Sequence, residues 1–159
     1  MTTTTQPHSI GGGTETGRSG VFWDTAAGRA PLPRAAATLG LEVIHADCRQ
    51  GAVQLAFTAT EDFTTPLGDV LGGFQAAMLY DTVGPAVLAM LPPDQFIATL
   101  DLTTTFLRPA FPGRLVGRGQ VLHRDGDIVF VEATLTDPDN VVVATATATI
   151  RVIDLVMPS

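Results

Sequence analysis

Leu71-Gly-Gly-Phe-Gln-Ala-Ala-Met-Leu-Tyr-Asp-Thr-Val-Gly-Pro-Ala-Val-Leu-Ala-Met90 is the stretch that decides how this chain folds. From Phe74 to Met90 it is built of Ala, Met, Leu and Val, with Tyr80 and Asp81 as its ionisable groups. A helix that is apolar on nearly every face has to be wrapped by other structure. Gly72 and Gly73 open this one and Pro92-Pro93 ends it. Pro85, inside the helix, removes one backbone hydrogen bond and crowds the carbonyl four residues earlier, which is that of Asp81, so a kink is expected beside the carboxylate.

On both sides of this helix the period changes to two. Val53, Leu55, Phe57 and Ala59 alternate with smaller or polar residues across Ala52 to Thr60, and Leu41 to Asp47 precedes them across the turn Arg49-Gln50-Gly51. Glu61 to Asp69, with Pro66 and Gly68, reads as a loop. Beyond the helix, strands are expected over Phe96 to Leu107, Arg114 to His123, Ile128 to Thr136 and Val141 to Ile153, separated by three turns and read as a meander. Val143-Ala-Thr-Ala-Thr-Ala-Thr-Ile150 is the clearest alternation in the chain. Pro31 to Leu39 reads as a short helix stopped by Gly40, and Phe22 and Trp23 are expected to pin the start of the ordered chain to the core. These elements predict an α+β fold, an antiparallel sheet curled around one long helix.

The chain has 159 residues, 45% of them hydrophobic and 16% charged, enough for one core and too few for two ordinary domains. The division expected is a flexible tail over residues 1–20 and a single domain over 21–159. Nine cations, all arginine, stand against sixteen Asp and Glu, a net charge of −7. That balance disfavours nucleic acid as a partner, and the absence of lysine removes Schiff-base chemistry. One cysteine, Cys48, forms neither an internal disulfide nor a thiolate cluster. His8, His45 and His123 lack the spacing with carboxylates that a metal site requires, so no metal is expected. With no apolar run of membrane-spanning length and no basic-then-apolar leader, the expected setting is cytoplasmic.

Two features carry candidate chemistry. The first turn of a helix leaves backbone N–H groups unpaired, and Gly72 and Gly73 let a ligand oxygen approach them; taken alone, a glycine pair is more often a tight loop-to-helix turn or a close packing contact. Asp81, in the apolar helix with no arginine or lysine beside it, must be neutralised, paired, or set on a cavity or interface. One residue along a helix turns it by about 100°. Asp81 is therefore expected on the face of Phe74, Ala77 and Met78.

The segments Gly68-Asp-Val-Leu-Gly-Gly-Phe-Gln-Ala-Ala-Met-Leu-Tyr-Asp-Thr-Val-Gly-Pro-Ala86 and Thr99-Leu-Asp-Leu-Thr-Thr-Thr-Phe-Leu-Arg-Pro-Ala110, with the closing Val-Ala-Thr-Ala-Thr strand, resemble the phenylacetate-pathway (PaaI-type) branch of the hotdog-fold acyl-CoA thioesterases. The resemblance spans about Leu39 to Val152. It implies a hotdog fold, homodimers often paired into homotetramers, and active sites at the dimer interface. There, glycine N–H groups polarise the thioester carbonyl and an acid from the partner's helix attacks it or activates water. It implies no cofactor beyond the coenzyme A carried by the substrate.

Carried over residue by residue, Gly73 with Gly72 polarises the carbonyl, Asp81 is base or nucleophile, and Thr99 or Gln75 positions water. Leu71, Phe74 and Met78 suggest an apolar acyl pocket, and Arg108, Arg114 and Arg124 are candidates for coenzyme A phosphates. The chain departs from the pattern in four places. Leu71 stands where a histidine often precedes the glycines, and Thr65 where an asparagine is common. Tyr80 holds the usual position of the acid, seven residues after the second glycine, with Asp81 one place later. Asp127 stands where relatives often carry arginine. Two alternatives follow: a protein that binds an acyl-CoA or aromatic ligand without turnover, and, behind it, a hotdog hydratase or lyase, which would need an Asp/His pair absent near the helix.

Overall fold

The computed structural model describes residues 17–156. Its central element is one helix, α3 (Gly72–Leu88), of which Met78, Leu79, Thr82, Val83 and Gly84 to Val87 are buried. Leu71 caps it, so both glycines belong to its first turn, and Pro85 lies within it rather than ending it. Before it come α1 (Val21–Ala26), α2 (Arg34–Thr38), β1 (Glu42–Asp47), β2 (Ala52–Ala59) and a 3-10 turn over Glu61–Phe63; after it come β3 (Gln95–Phe106), β4 (Gly113–Asp125), β5 (Ile128–Thr136) and β6 (Val142–Asp154).

Among the described residues the strands form one six-stranded antiparallel sheet in the order β1-β2-β4-β5-β6-β3. This is the expected hotdog arrangement, α3 packed against the sheet, with one correction to its topology. β4, β5 and β6 are a meander, but β3 pairs with β6 and not with β4. The linker from β3 to β4 contains Pro109 and Pro112, too stiff for a tight hairpin, and carries the chain to the other side of the sheet. β3 therefore forms an edge, and its outer side has no strand partner among the described residues.

The inner face follows the alternation: Val53, Leu55, Phe57 and Ala59 of β2, Val129, Val131, Ala133 and Leu135 of β5, and Ala144, Ala146, Ala148 and Ile150 of β6 are all buried. In β4 the inward places beside Leu115 are Gly117 and Gly119. A methyl at Gly117 would overlap Thr82 Oγ1 and come within 3.0 Å of the Phe57 ring, and one at Gly119 would lie 2.9 Å from the Thr82 carbonyl oxygen. These glycines let α3 settle directly on the strand. On β1 a bulge between Val43 and His45 reverses the alternation, so Ala46 is buried and His45 exposed.

At the N-terminus Phe22 and Trp23 pin the chain to the core as expected, from a short helix, α1, that the sequence did not announce. α1 has no side-chain cap and is held by packing: Phe22 and Trp23 are buried edge to face, and Trp23 Nε1–H donates to the Ala89 carbonyl at 3.2 Å. Of the tail expected over residues 1–20, residues 1–16 lie outside the described residues. The rest is tied down: Arg18 lies over the Trp23 ring, its carbonyl accepting from Arg29 at 2.7 Å. α2 ends as its sequence predicts, at Gly40 with φ +65°, whose N–H donates to the Ala37 carbonyl.

Candidate functional site

The N-terminal turn of α3 is fixed from three sides. Val70 N–H donates to the Ala110 carbonyl at 2.7 Å, Leu71 N–H to the Phe63 carbonyl at 2.8 Å, and Gln75 Nε2–H to the Val70 carbonyl at 3.0 Å. Phe74 and Gln75 N–H both donate to the Leu71 carbonyl, which leaves Gly72 and Gly73 as the residues whose amides have no carbonyl a turn behind them. The two glycines then part company. A Cβ on Gly72 would meet the Phe106 ring at 3.1 Å, so that position is a packing contact with β3. A Cβ on Gly73 would meet only Leu71 Cδ2, at 3.9 Å. Gly73 is the one open to a ligand.

Asp81 lies two turns further along the same side of the helix. It lines two cavities. One, of about 410 Å³, runs past Gly73, Ala76, Ala77, Tyr80 and Leu102; the other, of about 290 Å³, reaches Thr99, Ile97 and Phe22. Tyr80, Pro33 and Ala36 also line both. The carboxylate is half-buried and makes no hydrogen bond or ion pair with any described residue. Burial disfavours its charged form and raises its pKa above the ordinary aspartate value of 3.8. Thr99 shares the smaller cavity with Asp81 and sits beside a bulge in β3, between Thr99 and Asp101.

Several expected site residues stand elsewhere. Of Phe74, Ala77 and Met78, only Ala77 shares a cavity with Asp81. Met78 is fully buried in the core, and Phe74 stacks on Phe63 with ring centroids 4.1 Å apart, so neither lines an acyl pocket beside Asp81. Leu71 is about half exposed at the helix mouth. Gln75 is buried, its amide nitrogen spent on Val70 and its Oε1 without a partner, so it holds the turn rather than positioning water at the open face. Thr65 hydrogen-bonds Asp69 within the preceding loop.

The three arginines do not converge. Arg114 pairs with Glu42 at 3.2 Å, Arg124 donates to the Gly126 carbonyl at 2.9 Å, and ten residues of strand, roughly 33 Å, separate them. Arg108 is exposed two residues beyond Phe106, the ring that covers Gly72. The sequence reading missed Pro33, Ala36 and α1 as cavity walls. Among the described residues no cluster of three His, Cys, Asp or Glu side chains is placed to hold a metal ion, and no helix is long and apolar enough to cross a membrane.

Comparison with known proteins gives this geometry a context. The thioesterase superfamily model matches residues 67–144, from the loop before α3 into β6. A solved structure of the phenylacetic acid degradation-related protein of Ralstonia eutropha JMP134 is 38% identical, covering 82% of this chain and 98% of its own, with a TM-score of 0.79. The PaaI protein of the Escherichia coli phenylacetic acid degradation operon shares the fold at 20% identity, over 86% of this chain and 96% of its own, with a TM-score of 0.75. A thioesterase of Haemophilus influenzae does so at 18% identity, over 88% and 95%, with a TM-score of 0.74. No curated protein matches the chain.

Proposed function

The chain belongs to the thioesterase superfamily, with the hotdog fold of its PaaI-type members, and on that premise we propose that it hydrolyses an acyl-CoA or related acyl thioester to the free acid and thiol. The observation that carries the reading is Asp81: a half-buried carboxylate with no partner among the described residues, facing a cavity that also reaches the open first turn of α3 at Gly73. Gly73 N–H donates to the carbonyl oxygen as it gains negative charge. Asp81 accepts a proton from water while the water oxygen bonds to the carbonyl carbon. The C–S bond then breaks, and the departing thiolate takes that proton.

Within one chain these two groups are too far apart to share a substrate. Eight residues of helix separate Gly73 from Asp81, a rise of roughly 12 Å, whereas reacting atoms must approach within about 3–3.5 Å. A second copy resolves this. Pairing β3 with its own copy across a two-fold axis completes the exposed sheet edge, covers Leu100, and runs the two α3 helices antiparallel, so that Gly73 of each faces the half of the other that carries Asp81. The homodimer then holds two composite sites. The outer sheet face, with Arg118 and Glu132 beside a threonine-lined groove of about 560 Å³, offers the self-complementary surface for joining two dimers into a tetramer. Arg108 is the phosphate contact we retain, because Arg114 and Arg124 are otherwise engaged.

The test is thiol release from a panel of acyl-CoA thioesters by the wild type and Asp81→Asn. Equal rates would remove Asp81 from the mechanism. Tyr80, at the place the family resemblance assigns to the acid, favours a second reading in which the same site binds an acyl-CoA or aromatic ligand without cleaving it. Saturable binding with no thiol released across the panel would establish that reading instead.

A further inference from the structure

The smaller cavity behind Asp81 is walled by parts of the chain that the superfamily match does not include. α1 contributes Val21, Phe22 and Thr25, the following segment Leu32 and Pro33, α2 Ala36, and the start of β1 Val43; all precede residue 67, where the match begins. The opposite wall is α3 and β3, through Gly84, Pro85, Leu88, Phe96 and Ile97. Asp81, Thr99, Tyr80 and Thr25 are its polar side chains, and the first three stand on the α3 and β3 side with the candidate chemistry. From Asp81 the cavity therefore leads away from Gly73 into apolar surface.

We propose that this cavity is the chamber for the apolar end of the acyl group, and that α1 and α2 are the element that sets which acyl groups fit. The proposal rests on the thioesterase reading for the identity of the ligand. Three observations support it. The chamber adjoins the carboxylate placed to act on the thioester, through the four residues it shares with the larger cavity. Its volume, about 290 Å³, exceeds the roughly 150 Å³ apolar cavity that is enough for benzene, so it suits an arylated or medium-length acyl group and is oversized for acetyl. Its outer wall is anchored by its own contacts: Trp23 on α1 is tied to the end of α3 at Ala89, and Arg29 bridges Asp24 and the Arg18 carbonyl.

The decisive measurement is calorimetric binding of S-alkyl thioethers of coenzyme A, from ethyl to dodecyl, which bind without being hydrolysed. In the wild type, affinity should rise about fourfold per methylene until the chamber is full and then level off. Val43→Phe, which fills the chamber from β1, should move that limit to shorter chains and cut the octyl-over-ethyl preference by about tenfold or more; Leu32→Ala, which enlarges it, should move the limit to longer ones. Thermal melts confirm that each variant is folded. Chain-length profiles that coincide in all three folded proteins would overturn the proposal. A chamber profile that shifts as described, with no thiol released from the corresponding thioesters, would support the chamber while overturning hydrolysis.

Discussion

On its side toward β4, α3 is pressed so close to the sheet that two strand positions carry no side chain at all, and Thr82 fills the space above Gly117 and Gly119. On its other side Gly73, Ala76 and Ala77 are also small, yet the space above them is a cavity. Small residues thus serve two ends on one helix. Toward β4 the missing side chain is replaced by close packing; on the other side it leaves an open cavity, the space that the proposed function gives to a substrate and a second copy. The same division separates Gly72, under the Phe106 ring, from Gly73, one residue on.

The strongest way to break the comparison is to remove the chemistry from the open side alone. Asp81→Asn should lower thiol release by about 10²–10⁴-fold, the range for a positioned general base, while its fold and oligomeric state stay those of the wild type. Tyr80→Phe, next to it and exposed, should change the rate by less than about tenfold, because a phenol hydroxyl serves as a hydrogen-bond donor and not as a ready proton acceptor from water. A larger loss in Tyr80→Phe than in Asp81→Asn would hand the catalytic position back to the residue that stands seven after the second glycine.

The packed side is next. Gly117→Ala should destabilise the protein by about 1–3 kcal/mol in denaturant melts, since the added methyl meets Thr82 Oγ1, which is already donating to the Met78 carbonyl at 2.7 Å, and the buried Phe57 ring. Stability equal to the wild type would mean that α3 can lift off the sheet at little cost.

Gly73→Ala sharpens the contrast within the glycine pair. Its methyl meets nothing closer than 3.9 Å, so stability should be unchanged or raised by a few tenths of a kcal/mol, alanine being the better helix former. Activity should fall by about tenfold, because the methyl stands where the carbonyl approaches the amide. Gly72→Ala should do the reverse, costing stability by displacing Phe106.

How much of this was readable in advance follows from the same division. The helix, its glycine start and the alternating strands are local patterns, and they appear within a residue or two of the expected places. The pairing of β3 with β6 depends on contacts some fifty residues apart, and α1 depends on where Phe22 and Trp23 find their pocket, so neither leaves a local mark. The burial of Gln75 does have a local signal. The residue lies three and four residues before Met78 and Leu79 and seven before Thr82, and that buried stripe carries it into the core. Of the neighbours expected for Asp81, Ala77 shares its cavity, while Phe74 and Met78 turn to other packing; Gly73 joins the same side because positions four apart drift only about 40° around a helix.

The smallest expected effect is on stability, and it runs against activity. Asp81 has a folded-state pKa raised by burial, so the native protein binds the proton more tightly than the unfolded chain does. The stability this contributes is fully present below the unfolded pKa and is lost as pH rises through the folded one. At neutral pH the carboxylate is therefore a net burden on the fold, and Asp81→Asn should melt at a slightly higher temperature than the wild type, with the gap closing as the buffer is made acidic. Wild-type thiol release should move the other way, rising with pH across the same interval as the base loses its proton. A variant that melts lower than the wild type by the same margin at every pH would show that the carboxylate has a stabilising partner in the assembled protein, and the open side of α3 would then be a packed side like the other.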